Sequence, residues 1–429
     1  MTKIPRIRAG LVLGFRPALA SRRARAILLV LGPGLISGFA DNDAGGITTY
    51  SIAGARYGYG LMWVLLASML ALGVTQEAGA RLGLATGQGL ASLIRERFGV
   101  RWTLFAIFTM LAANLGDTVA EFAGIAAALD LVGVPATISA IASAAVVVLV
   151  LSRANFNRIQ YGFLLVGIGV SVAYGVSAVL AQPDWSLAAR SLVTPAISLD
   201  TAYLLAVMAT VGTTITPWGQ AFIQSYAADK GLRKRDLGAA RLDVALGALL
   251  TNIVAAFIVV ACAATLWAHG RTDITTAADA ATALGPLAGR GATVLFAAGL
   301  LAASLLGLAT VPLTSAYSAC EALGFERGLH WRWREAPIFY GLITFFVGSS
   351  ALFVVIPGLP LISVMFLSQV FDGLLLPIIL VFVMLLGRDR ALVGDLASGR
   401  VLSSLGWIVT GAISLLSVGL VLSQMLGGG

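Results

Sequence analysis

Charge is what this chain has least of. Of its 429 residues only 28 are Lys or Arg and 20 are Asp or Glu, and 59% are hydrophobic. Soluble domains carry about a quarter charged residues, so 11% cannot clothe a globule of this size and an ordinary cytosolic enzyme is excluded. Histidine and cysteine are equally scarce, at two each. Cys262 and Cys320 have no metal-ligand spacing and read as small core residues, while His269 and His330 fall in loops. No intramembrane His, Ser/His pair or clustered ligand set suits catalysis, so an enzyme is not expected. No cofactor is implied.

What is abundant is long apolar sequence. Eleven stretches approach or exceed the roughly 20 residues that cross a bilayer as a helix: 27–55, 59–84, 102–132, 135–152, 158–181, 200–226, 243–268, 291–318, 336–356, 359–386 and 402–425. The expected fold is an all-α polytopic membrane protein. Residues 87–99 and 270–290 read as short surface helices between spans. The first apolar run follows an Arg-rich segment and has no cleavage-like site, so it reads as a span and not a signal peptide.

The basic residues sort by side. With the N-terminus in the cytoplasm, the outside loops hold only Arg56, Arg190, Arg271 and Arg290, and the other 24 of the 28 lie inside. That asymmetry supports the eleven-span count, a cytoplasmic N-terminus and a bacterial inner-membrane location. It also explains the net charge of +8 without a nucleic acid partner. The lipid bilayer is the expected surrounding, and no obligatory protein partner is evident.

Two spans break the pattern. Span one carries Asp41, Asn42 and Asp43 followed by Ala44, Gly45 and Gly46. A carboxylate at membrane depth costs several kcal/mol unless paired, hydrated or neutralised, and each Gly lowers helix propensity by roughly 1 kcal/mol. Span six carries Gly212, Thr213, Thr214, Thr216, Pro217 and Gly219. Pro217 removes a backbone donor and frees carbonyls near Thr213. Interrupted helices at corresponding places in two halves point to a transporter binding site. The halves would be inverted five-helix repeats at 27–182 and 200–386, after a basic segment 1–26 and before an eleventh helix and C-terminus at 387–429.

The groups at the breaks are all oxygen donors: Asp41, Asp43, Thr213, Thr214, Thr216, Gln220 and freed carbonyls. Such a set suits hard cations, Mg²⁺, Ca²⁺ or Mn²⁺, over soft ones. Further acids at depth are Asp117 and Glu121, four apart in span three beside Asn114 and Thr118, and Asp372, three after Gln369 in span ten. Each is expected either to line an ion or water pathway or to form a structural pair. Glu77 is expected to pair with Arg81, one turn away.

At these residues the chain resembles the Nramp family of divalent-metal transporters. The likeness is carried by GPG at 32–34, the DAGG of Asp43–Gly46, AGARYGYG at 53–60 and ARLGLATG at 80–87. The resemblance implies a LeuT-type fold with Asp43 as metal ligand. It puts the family's second ligand at Gly46, a ligand carbonyl at Thr213, the family's ligand Met at Thr216, and its helix-ten Gln at Gln369. This sequence departs from the family at several of these places. A hydroxyl replaces the soft thioether at Thr216, and Gly46 replaces an Asn, which would leave room for a hydrated ion. Trp218 and Ile223 stand where the family has histidines, Thr118 stands where it has an Asp, and 336–356 has no Arg. With DNDAGG in helix one, the match is closer to the Nramp-related magnesium transporters. It implies Mg²⁺, and also Mn²⁺, as transported substrate, without proton coupling. Two alternatives stay open: a proton-coupled Mn²⁺ or Fe²⁺ transporter of the main Nramp type, and a Na⁺-coupled organic-solute symporter of the same fold.

Overall fold

The computed structural model describes residues 38–426, apart from 39, 153–155, 230–231 and 330. The basic segment 1–26, the GPG motif, the start of span one and His330 lie outside the described residues. Twelve helices account for the spans: α1 (Ala44–Tyr57), α2 (Met62–Thr86), α3 (Leu90–Asp130), α4 (Ala136–Ser152), α5 (Phe156–Leu180), α6 (Thr201–Thr214), α7 (Pro217–Asp229), α8 (Leu237–Thr265), α9 (Ala292–Leu323), α10 (Pro337–Val354), α11 (Leu361–Arg388) and α12 (Arg400–Leu426). No strand occurs among the described residues.

Among the described residues, seven helices are long and apolar enough to cross a membrane by themselves: α2, α3, α8 to α12. The pieces of the two broken spans are not. α1 and α6 have 14 residues each and α7 has 13. At 1.5 Å per residue each covers roughly 20 Å, short of the ~30 Å hydrocarbon core. The expected surface helix at 87–99 is present as the first turns of α3, set off by a kink at Gly99, whose φ of 78° is open to glycine. One face of it is not on the surface, since Leu90, Leu93 and Ile94 are buried. The stretch 270–290 likewise folds into short helical turns, with Ala280, Ala281 and Leu284 buried against the bundle.

The packing places the short pieces innermost. α1 and α6 contact each other, and both contact α11; α1 also packs on α8 and α3. α3, α9 and α11 form the adjoining wall. α12 lies outside, against α11, α2 and α6, and turns Val401, Ile408 and Leu415 outward. Exposed aliphatic side chains there and on α4 and α5 (Ile141, Leu165) suit contact with lipid tails. Close helix approach depends on glycine. A Cβ at Gly212 of α6 would run into the Gln369 carbonyl oxygen of α11, so these two backbones touch only because no side chain intervenes.

Candidate metal centre

Both sequence breaks are real breaks. Residues 41–43 form a turn between the helical residues at 38 and 40 and the start of α1. Asp43 caps α1, its Oδ1 accepting the Gly46 N–H at 2.7 Å, which satisfies one of the orphan donors of a helix start. In span six, Ile215 and Thr216 are non-helical. Pro217 is the first residue of α7, where its missing N–H costs nothing. Thr216 caps α7 by accepting the Gly219 N–H at 3.1 Å.

The breaks face each other. The Thr216 hydroxyl donates to Asp41 Oδ1 at 3.4 Å. The Asp41 carbonyl oxygen and the Thr213 hydroxyl converge on Gly46, where a Cβ would lie 2.7 Å from the first and 3.0 Å from the second. Asp43 Oδ1 lies 3.5 Å from that point. Beside them Tyr50 bonds Thr214 Oγ1 at 3.0 Å. Since the Thr214 hydroxyl donates to its own helix at Thr210 O, the Tyr50 hydroxyl is the donor and ties α1 to α6.

A side chain at position 46 would meet these oxygens, so only glycine lets them approach one another this closely. Glycine here permits a close convergence of oxygens. Whether Asp41 faces the breaks, undetermined from sequence, is now settled by its contact with Thr216.

Asp41, Asp43, Thr213, Thr216, Gln220 and Gln369 are each 2% exposed or less. Yet Asp41 Oδ2, Thr213 Oγ1, Gln369 Oε1 and both amide atoms of Gln220 lack hydrogen-bond partners. Buried polar atoms are normally satisfied, so the facing breaks hold spare polar atoms that a cation or water could meet.

A line of carboxyls continues from it. Glu121 of α3 lies beside Asp43, and Asp117 lies beside Asp372 of α11. The Gln369 amide donates to Asp117 Oδ1 at 3.1 Å and to Ser368 Oγ at 3.0 Å. Gly307 of α9 makes room for Glu121, whose carboxyl a Cβ there would strike. None of the five acids Asp41, Asp43, Asp117, Glu121 and Asp372 makes an ion pair among the described residues.

Other expected residues stand apart. The Thr118 hydroxyl donates to Asn114 O at 2.7 Å, a bond within its own helix. Trp218 is fully buried against Ala40, Leu306 and Val311, with no partner for its indole N–H. Glu77 pairs with Arg81 at 2.8 Å as expected, and also with Arg241 at 2.7 Å. Cys262 and Cys320 are buried and free. No group of three or more His, Cys, Asp or Glu placed to hold a metal occurs among the described residues. The aspartates at the breaks thus stand among hydroxyls, carbonyls and amides rather than in a cluster of acids.

Four contributors escaped the sequence reading: Tyr50, Asn42, Thr251 and Ser315. Asn42 donates to Gly38 O at 3.3 Å, and the Thr251 hydroxyl of α8 donates to the same carbonyl, which the break orphans. Ser315 of α9 accepts from Asn114 at 2.8 Å. The polar pair Thr251–Asn252 inside an apolar run was the available signal.

Comparison with known proteins speaks to the family and the fold. The family model described as natural resistance-associated macrophage protein-like (Nramp) matches residues 34–423. The divalent metal cation transporter MntH of Deinococcus radiodurans is 32% identical over 98% of this chain and 95% of its own. Among solved structures, the Eremococcus coleocola manganese transporter superposes with a TM-score of 0.76 at 20% identity, covering 93% of this chain and 87% of that one. MhsT in complex with L-phenylalanine superposes at 0.60 and 18% identity, covering 95% and 98%. These likenesses establish the fold as the LeuT type.

Proposed function

Because this chain belongs to the Nramp family, we propose that it is a divalent-cation permease that carries Mg²⁺, and also Mn²⁺, by alternating access and without obligatory proton coupling. The observation that carries this reading is the chemistry of the facing breaks. Asp41, Asp43, Thr213, Thr216 and Gln369 offer only oxygen toward an ion. The two neighbouring thioethers are engaged elsewhere: Met208 against Gly373, and Met365 as acceptor for the Thr48 hydroxyl at 3.5 Å. Hard donors with no sulfur suit an ion that keeps part of its water shell.

Asp43 is the central ligand, with the Thr213 carbonyl, the Thr216 hydroxyl and the Gln369 amide oxygen assisting; the Gly46 position lets them converge. Asp41 and Asp372 add negative potential. Residues 27–182 and 200–386 are the two halves that rock around this point. The chain sits in the bacterial inner membrane with its N-terminus in the cytoplasm. A divalent cation entering a negative interior gains about 4–5 kcal/mol per 100 mV, twice the single-charge figure, so uptake needs no proton.

Reconstituted liposomes test this. Mn²⁺ influx should be inhibited by excess Mg²⁺ and should not acidify the lumen. Influx indifferent to Mg²⁺, or obligatory acidification, overturns the proposal. The line of buried carboxyls through Glu121, Asp117 and Asp372 favours one second reading, proton-coupled Mn²⁺ transport, and lumenal acidification is the outcome that selects it.

A further inference from the structure

Where α11 ends and α12 begins, a pocket of about 610 Å³ opens between Arg388, Arg390, Ser398, Arg400, Ser403 and Trp407. Three guanidinium groups share this pocket, and no acid lines it. The two acids of the connecting segment are engaged with other cations: Asp389 with Arg97 at 2.7 Å, and Asp395 with Lys234 at 3.4 Å. Arg388, Arg390 and Arg400 form no ion pair among the described residues.

The pocket is also built below its rim. Ser403, only 8% exposed, lines it together with Ser398 and Ser404. The Trp407 ring packs on the bundle behind the arginines, with its indole N–H sealed from the opening. The floor is held in place because Ser398 N–H donates to Gly387 O at 2.9 Å. Three like charges with no acid among them favour an anion. Guanidinium forks match phosphate oxygens in pairs.

We infer that this pocket binds a phosphate-bearing anion at the basic end of the bundle. Two sources present that chemistry: a free phosphate, and the headgroup of an anionic phospholipid. Basic pockets between membrane helices suit such headgroups. The exposed apolar face of α12 that starts at Val401 and continues through Leu405 and Ile408 gives acyl chains a surface directly beside the pocket.

The test uses the full chain in detergent micelles and native mass spectrometry, titrated with phosphatidylglycerol, phosphatidylcholine or inorganic phosphate. Phosphatidylglycerol should bind more tightly than phosphatidylcholine. Arg388→Gln/Arg390→Gln/Arg400→Gln should weaken it at least about tenfold, since one charge-assisted bond is worth on that order. Arg233→Gln/Arg332→Gln/Arg334→Gln removes equal charge elsewhere and should change it little. Arg400→Gln alone should weaken binding several-fold, and it serves if the triple variant does not fold. Displacement of lipid by millimolar phosphate supports the shared chemistry with the lipid as source; phosphate binding without phosphatidylglycerol binding supports it with the free anion as source. Binding of neither, or equal loss in the two triple variants, overturns it.

Discussion

The hydroxyl of Thr216 donates to Asp41 Oδ1 at 3.4 Å while accepting the Gly219 N–H at 3.1 Å. One side chain thus caps the second half of a broken span and reaches the break of the other. Methionine at this position would remove both bonds and supply a soft sulfur. Thr216→Met should therefore lower Mg²⁺ uptake and raise the potency of Cd²⁺ as a competitor at least about tenfold, as ligand softness dictates. The lost cap should cost about 1 kcal/mol of stability. Dye-monitored liposome uptake with Cd²⁺ titration measures the first two, and a melting curve the third. Unchanged Cd²⁺ potency would refute a ligand role for Thr216.

Asp43 and Asp41 should separate by severity. Asp43 holds α1 through the Gly46 N–H and faces the converging oxygens. Asp43→Ala should abolish uptake, and Asp43→Asn, which keeps a capping oxygen, should restore the fold without restoring transport. Asp41→Asn retains an acceptor for Thr216 and should leave uptake reduced but measurable. Isothermal titration with Mg²⁺ and Mn²⁺ on the same proteins separates loss of binding from loss of turnover. Full transport by Asp43→Ala would remove the centre from this place.

Gly46→Ala tests the close convergence. Its new Cβ would lie 2.7 Å from the Asp41 carbonyl oxygen, a backbone atom that cannot swing aside. The turn at 41–43 must shift, so uptake should fall by an order of magnitude or more even though alanine is the better helix former by roughly 1 kcal/mol. If uptake is instead unchanged while the melting temperature rises, the convergence has no functional weight.

The spans were legible because apolar length alone marks a membrane helix, and the two breaks because Pro217 and the Asp41–Gly46 run cannot continue one. The pairing of those breaks was less visible. Nothing in a linear sequence says that Thr216 meets Asp41, or that the Asp41 carbonyl oxygen comes close to Gly46. Tyr50 carries no signal of its own in the sequence, and only packing turns its hydroxyl to Thr214. Charge sorting found the acids at depth but not their partners, since Gln369 reaches Asp117 across 252 residues of sequence.

Asp117 and Asp372 give the sharpest division between structure and transport. Their carboxyls lie together between α3 and α11, fully buried and close enough to share a proton. Asp372→Asn keeps a donor toward Asp117 in place of that proton, so thermal stability should change by less than about 1 kcal/mol. A purely structural pair predicts normal uptake. A pair that helps pass cations through a low-dielectric interior predicts slower uptake at unaltered stability, because negative potential has been removed from the route. With the cation reading, Asp117→Asn/Asp372→Asn should be no slower than the slower single variant, since the two residues act as one unit. Melting curves and initial uptake rates on the three variants distinguish these outcomes, and uptake unaltered in all three would assign the pair to structure alone.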